Sequence, residues 1–282
     1  MIPCTRRFVP SLVLVLAFAV SGCATRQGPA AAPATAGGPA APAPASRAVP
    51  RTASGRPDFQ GIWQVRNRAA YGLEYHNASA GILPGRGVVT DGTIPYTAAA
   101  LATRNQNYAK RAELDPFNKC FMPGVPRIMY LEHPFQIFQT NDHVAMTFEW
   151  SQVFRLIYTD GSKHVDGIEF WMGDSRGRWD GDALVVDVAN FNDQTWLDGG
   201  GNFHSEQLKL TERYTMLDAD TLQYEVTFED PKVFTRPWKI SMPLYRQKDM
   251  DRLLEYQCQA EKEEANGEFE RDERTWSPKP KP

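Results

Sequence analysis

The chain has 282 residues, a formal net charge of −3, 42% hydrophobic and 11% aromatic content. That balance excludes nucleic acid as a partner, because a phosphate backbone calls for a basic footprint. The aromatics, most of them after residue 58, suffice for a sizeable core.

Met1 to Cys23 sets Arg6 and Arg7 before an apolar run, Phe8 to Val20, and ends in Val20-Ser21-Gly22-Cys23. Charge first, a short apolar middle and small residues before a cut is the export pattern. The run is too short and one-ended for a good spanning helix. The order resembles a bacterial lipoprotein signal peptide with its lipobox. The resemblance implies cleavage before Cys23, acyl chains on that cysteine, and a protein held to a membrane in the cell envelope and facing the periplasm. The competing reading is an ordinary secretory signal in which Cys23 is incidental. Removing residues 1–22, with two arginines and no acids, takes the charge from −3 to −5.

Gln27 to Pro50 is almost all Ala, Pro and Gly with Ser, a composition that buries no core and serves as a tether. The expected organisation is a signal over 1–22, a lipid-anchored linker over 23–55, one folded domain over 56–260 and a charged tail over 261–282. Asp58 to Trp63 reads as an opening strand. Ala98 to Arg111 is the one convincing helix. From Arg127 onward, short runs alternate with turn signals, as in an antiparallel meander. Asn141-Asp142, Asp160-Gly161, Asp180-Gly181, Asp218-Ala219-Asp220 and Asp230-Pro231-Lys232 punctuate it. Asp180-Gly181 is the best two-residue hairpin signal. Leu253 to Cys258 reads as the last strand.

Roughly ten strands in one string must hide their edges, and closure does so. The predicted fold is all-β and mainly antiparallel: a single up-and-down barrel with one helical insertion near 98–111. Gly61-x-Trp63 is similar to the opening of lipocalin-like barrels; a two-sheet sandwich is the alternative. After Cys4 leaves with the signal and Cys23 takes lipid, Cys120 and Cys258 remain. An even pair in an oxidising compartment reads as a disulfide, against two buried free thiols.

His204 to Met216 carries the most chemistry. Strand alternation puts Ser205, Gln207, Lys209, Thr211, Arg213 and Thr215 toward water, and His204, Glu206, Leu208, Leu210, Glu212, Tyr214 and Met216 inward. The next strands send Leu222, Tyr224, Val226 and Phe228 inward, then Phe234, Arg236, Trp238, Ile240 and Met242. The simplest register sets Glu212 beside Val226 and Val226 beside Arg236, which predicts an inward Glu212–Arg236 contact. Such a pair either plugs the barrel or orients a ligand in an apolar cavity.

His204 and Glu206 follow Gly199-Gly200-Gly201, which predicts a place at a rim. Asp198 or Glu206 beside His204 is the minimum kit for general acid–base work. Asn192, Asp193 and Asp198 could equally be turn formers, or line a pocket mouth with Trp196. Neither His164-x-Asp166-x-x-Glu169 nor His204-x-Glu206 has a recognised metal spacing. No phosphate loop, dinucleotide fingerprint or Gly-x-Ser-x-Gly is present, so no cofactor or metal is expected.

Several stretches resemble an uncharacterised family of exported bacterial β-rich proteins. They are Cys120 to Met129, Trp171 to Ser175, Trp179 to Asp187, Phe191 to Asp198, His204-Ser205-Glu206, Thr211 to Tyr214, Asp230-Pro231 and Pro237-Trp238. The resemblance covers about 115–258 and implies fold and export, not an activity. Where the family pattern has Gly-His-Pro-His-Ser, this chain has Gly201-Asn202-Phe203-His204-Ser205, one histidine and the proline fewer.

The leading expectation is a lipid-anchored binder of a small, partly apolar molecule inside the barrel, with Trp171, Trp196, Tyr224 and Trp238 as walls and His204, Glu206, Glu212 and Arg236 as anchors. Two alternatives stand beside it. One is a hydrolase, lyase or isomerase using His204 with Asp198 or Glu206. The other is an interaction module with a filled barrel.

Overall fold

Alternation of apolar and polar residues closes this chain on itself. The computed structural model describes residues 48–267; the signal, Cys23, most of the Ala/Pro-rich linker and the end of the tail lie outside them. Nine strands form a closed barrel in sequence order: β1 Gly61–Val65, β2 Phe135–Gln139, β3 His143–Phe148, β4 Phe154–Tyr158, β5 Asp174–Asp180, β6 Ala183–Ala189, β7 Lys209–Asp218, β8 Thr221–Glu229 and β9 Trp238–Arg246. β1 closes the ring by pairing with both β2 and β9. Every pairing is antiparallel except β4 with β5, whose long connection through residues 159–173 brings the chain back parallel. Closure pairs each strand of the ring on both sides.

Helices are few: α1 Ala98–Ala109, α2 Arg111–Leu114 and α3 Cys258–Ala265, with 3-10 turns at Pro116–Lys119 and Arg127–Tyr130. Thr97 caps α1 by accepting from the Ala100 amide at 3.2 Å. The excursion between β1 and β2 wraps the outside of the barrel. Its residues 88–90 bond to β9 through Ser241 N–H to Val88 O (3.0 Å) and Thr90 N–H to Lys239 O (2.9 Å), so they cover the part of β9 that short β1 leaves unpaired. Leu253 to Cys258 is not the expected strand. Tyr256 makes one isolated bridge to Trp150, and α3 begins at Cys258. There Cys258 reaches disulfide distance of Cys120, with Cα atoms 5.5 Å apart. Among the described residues no helix is long and apolar enough to cross a membrane.

Strand parity fills the interior. Leu210, Glu212, Tyr214 and Met216 of β7 point in, as do Leu222, Tyr224, Val226 and Phe228 of β8, and all are buried. Trp63, Phe135, Met146, Ile157, Leu184 and Ile240 meet them from the other strands. Burying a large apolar side chain is worth about 1.5–3 kcal/mol, so this packed interior is the main source of stability.

Candidate functional site

The centre of the barrel is polar and fully enclosed. Glu212, with no exposed surface, pairs with Arg155 of β4. Arg155 Nη1 donates to Glu212 Oε1 at 3.0 Å, its Nη2 to Oε2, and its Nε and Nη2 to Ser175 Oγ at 3.1 and 3.0 Å. Tyr214 and Tyr224 donate their hydroxyls to Glu212 Oε1 at 3.0 and 2.6 Å. Burial alone lowers the basicity of Arg155, but Glu212 and the two tyrosines outweigh it and the guanidinium is held charged. Burial, then Glu212, pushes both phenols well above their usual range. Each member satisfies another, as a buried charge requires. Among the described residues, this polar cluster and the buried apolar side chains around it line the interior.

Arg236 is not the partner of Glu212. Glu212 does sit opposite Val226, but Val226 sits opposite Ile240. The reason is the Asp230 turn. Its carboxylate accepts from the Ser205 amide and hydroxyl at 2.7 and 2.8 Å and from the Lys232 amide at 3.1 Å. The Val233 and Phe234 amides close onto its carbonyl. This knot lengthens the connection, and β9 starts only at Trp238. Arg236, with a side chain 52% exposed, pairs with Asp91 at 3.0 Å outside the barrel.

The structure separates the residues expected around His204. β7 begins at Lys209, so strand parity does not govern His204 and Glu206. Glu206 is exposed and paired with Lys232, which lowers its pKa. His204 is 2% exposed. Its Nδ1 lies 2.9 Å from the Ser205 carbonyl and its Nε2 lies 2.7 Å from Thr195 Oγ1. A carbonyl only accepts, so Nδ1 carries the proton and Nε2 accepts from the threonine hydroxyl. Phe191 packs edge-on against the ring at 5.6 Å. Burial lowers its pKa against smaller opposing effects of the Ser205 carbonyl, Asp230 and Asp193.

Asp198 touches neither nitrogen of His204. Its buried carboxylate accepts from the Leu73 amide at 2.7 Å, the Gly200 amide at 2.9 Å, and the Asn202 amide and side chain. Burial pushes its pKa up against these bonds. Asn202 in turn accepts from Tyr96 at 2.9 Å and Arg104 at 3.2 Å. Asp198 therefore ties the Gly-rich loop to the excursion and to α1. Gly201 has φ +82°, and a Cβ there would stand 2.7 Å from the Tyr108 amide, so only glycine lets α1 lie on this loop.

The aromatic walls are dispersed. Trp238 stacks on Phe228 at 4.0 Å inside the core. Tyr224 belongs to the Glu212 cluster. Trp196 is buried in the loop, bridging to Phe203. Trp171 stacks on exposed Phe121 at 5.3 Å, outside the barrel. Asn192 accepts from the Gln194 amide at 3.2 Å, a turn former's role. Among the described residues no group of three or more His, Cys, Asp and Glu is placed to hold a metal ion.

His204 gives the first prediction. With its folded pKa below the ordinary value of about 6.5, its contribution to stability is fully present above that pH and is lost as pH falls through the folded value. In that window the unfolded chain binds one proton more, so stability falls by up to about 1.4 kcal/mol per pH unit. Urea midpoints at stepped pH should show this slope below about pH 6.5, and His204→Gln should flatten it. The same slope in both chains would contradict a buried neutral imidazole.

A groove of about 690 Å³ lies outside the barrel, beneath the helical excursion. It is walled by Ala70 and Tyr71, Ala80 and Gly81, residues 109–113, Asp115, Phe117, Asn118, Arg127, residues 131–133, Gly199 and Tyr256. Its floor is a buried ion pair: Arg127 donates to both oxygens of Asp115 at 2.7 and 2.8 Å and lies 4.7 Å over the Phe117 ring. Asp115 also accepts from the Phe117 amide at 3.0 Å, which starts the 3-10 turn. Its walls are tied by Gly199 N–H to Ala70 O (2.8 Å), Arg111 to the Tyr108 and Ala80 carbonyls, and Tyr71 to Glu132 (2.9 Å). Opposite, His133 Nδ1 faces Glu149 at 3.5 Å and its ring lies 4.5 Å from that of Tyr256. This site is hidden in the sequence because its pieces come from six separate stretches of chain. Only Asp115-Pro116, a cap followed by proline, marks one of them.

The chain matches no family model, no curated protein and no solved structure.

Proposed function

We propose that this is a lipid-anchored protein of the bacterial cell envelope, facing the periplasm, that binds a small, partly apolar ligand in the groove beneath its helical excursion. The single observation that carries the reading is the contrast between the two spaces. The interior is occupied by the Arg155–Glu212 cluster and its apolar shell. The outer groove, about 690 Å³, falls in the range of small-molecule sites, roughly 300–1,000 Å³. Its apolar surface comes from Phe117, Leu131, Ala109 and Tyr256, beside a few fixed polar groups. Cys120 and Cys258 at disulfide distance suit an oxidising compartment. The anchor itself rests on the signal-like sequence ending at Cys23.

A second reading, an interaction module with a filled barrel, draws on exposed apolar side chains: Phe154 at 75% and Leu254 at 66% exposure. Native mass spectrometry of protein released from its own envelope separates the two. The native chain should carry a small-molecule adduct that Ala109→Trp, which fills the groove, does not retain. No adduct on the native chain, or one that survives Ala109→Trp, would count against groove binding.

A further inference from the structure

We infer that the groove selects an acidic amphiphile, a monocarboxylate whose headgroup lies at Lys110 and Arg111 and whose hydrocarbon lies along Leu131, Phe117 and Tyr256; this rests on the groove being the binding site. Three carboxylates line it. Asp115 is committed to Arg127 at 2.7 Å, and Glu132 to Arg68 and Tyr71. Glu113 alone has no side-chain partner among the described residues. Against it stand two cations without a carboxylate. Lys110 is exposed and its ammonium makes no ion pair among the described residues. Arg111 is bonded only to the carbonyls of Tyr108 and Ala80, with its guanidinium 4.3 Å from the Tyr108 ring. The free charge on the lining is therefore positive, which favours an anionic group.

Two donors at or beside the floor lack an acceptor among the described residues. Phe117 lies between Trp150, stacked at 5.0 Å, and Arg127. Trp150 Nε1 and Arg127 Nε are both buried donors with no acceptor among the described residues. A buried donor left unpaired is unfavourable. Trp150 opens onto a smaller groove of about 380 Å³ that shares Phe117, Asn118 and Tyr256 with the first, which lets a chain continue beyond the headgroup.

Calorimetric titration of the full-length protein with sodium octanoate, octan-1-ol and octylammonium chloride, each below its micelle concentration, tests the inference with ligand chain length held constant. Octanoate should bind at least tenfold more tightly than the other two. Lys110→Glu should weaken octanoate about tenfold while leaving octanol unchanged, and Lys110→Arg should restore it; circular dichroism verifies that both variants fold. Octylammonium binding as well as octanoate, or Lys110→Glu weakening octanoate and octanol alike, would overturn the acid preference and leave the groove standing. Binding of none of the three would overturn the groove reading as well.

Discussion

Arg155→Met is expected to lose about 3–5 kcal/mol of folding stability, the usual consequence of removing one member of a buried ion pair. Glu212 would remain at the centre of the barrel with its Arg155 donors gone, and only Tyr214 and Tyr224 still bonded to it. Ser175 Oγ would lose both guanidinium donors. Replacing both partners behaves differently. In Arg155→Met with Glu212→Leu no charge is left buried, so the double variant should be more stable than Arg155→Met alone, with the remaining cost set by the two tyrosine hydroxyls that lose their acceptor. Urea denaturation of the two single variants, the double and the native chain closes the cycle. Single-variant losses below about 1 kcal/mol would mean that the cluster is wetter than its burial implies.

Joined as a disulfide, Cys120 and Cys258 bridge 138 residues, and so close nearly the whole barrel into one loop. On the chain-entropy view, a loop of that length stabilises the fold by about 5 kcal/mol. Cys120→Ser with Cys258→Ser should therefore bring a loss of that order as an upper bound. The effect should also be local. Cys258 begins α3, whose Lys262 donates to the Asn118 carbonyl at 3.1 Å, and Cys120 ends the 3-10 turn that contributes Phe117 and Asn118 to the groove. Denaturation with and without a reductant reads the global effect, and hydrogen exchange across 258–265 reads the local one. A native chain indifferent to reductant would show that the two cysteines act as free thiols.

Much of the barrel is legible in the residues. β7 and β8 can be read by alternation because each has a wholly polar outer set, Lys209, Thr211, Arg213 and Thr215 on one, Gln223, Glu225 and Thr227 on the other. The Glu212–Val226 register follows from it. The partner of Glu212 is hidden for the opposite reason. In Phe154–Tyr158 the more apolar set is Phe154, Leu156 and Tyr158, yet the structure turns Arg155 and Ile157 inward and leaves Phe154 exposed. An ion pair inverted the parity of that strand, and hydrophobic pattern alone carries no trace of it. The Asp230-Pro231-Lys232 turn is legible, but its bonds to Ser205 are not. It is a tertiary knot with Ser205, and it displaced the expected Arg236. The alternation read into His204 and Glu206 failed because β7 starts five residues beyond His204. A groove assembled from residues 70–71, 80–81, 109–118, 127–133, 199 and 256 has no local signature beyond Asp115-Pro116.

The proposed arrangement puts ligand in the outer groove and leaves the barrel filled. Its most direct test is methyl NMR on protein labelled at Leu and Ile side chains, titrated with sodium octanoate or with any molecule found to accompany the native protein. Leu131, in the groove wall, should shift in proportion to occupancy, and Ile157, Leu184 and Leu222, buried in the barrel, should stay in place. Shifts at those three with Leu131 unmoved would put the ligand inside the barrel and contradict the account.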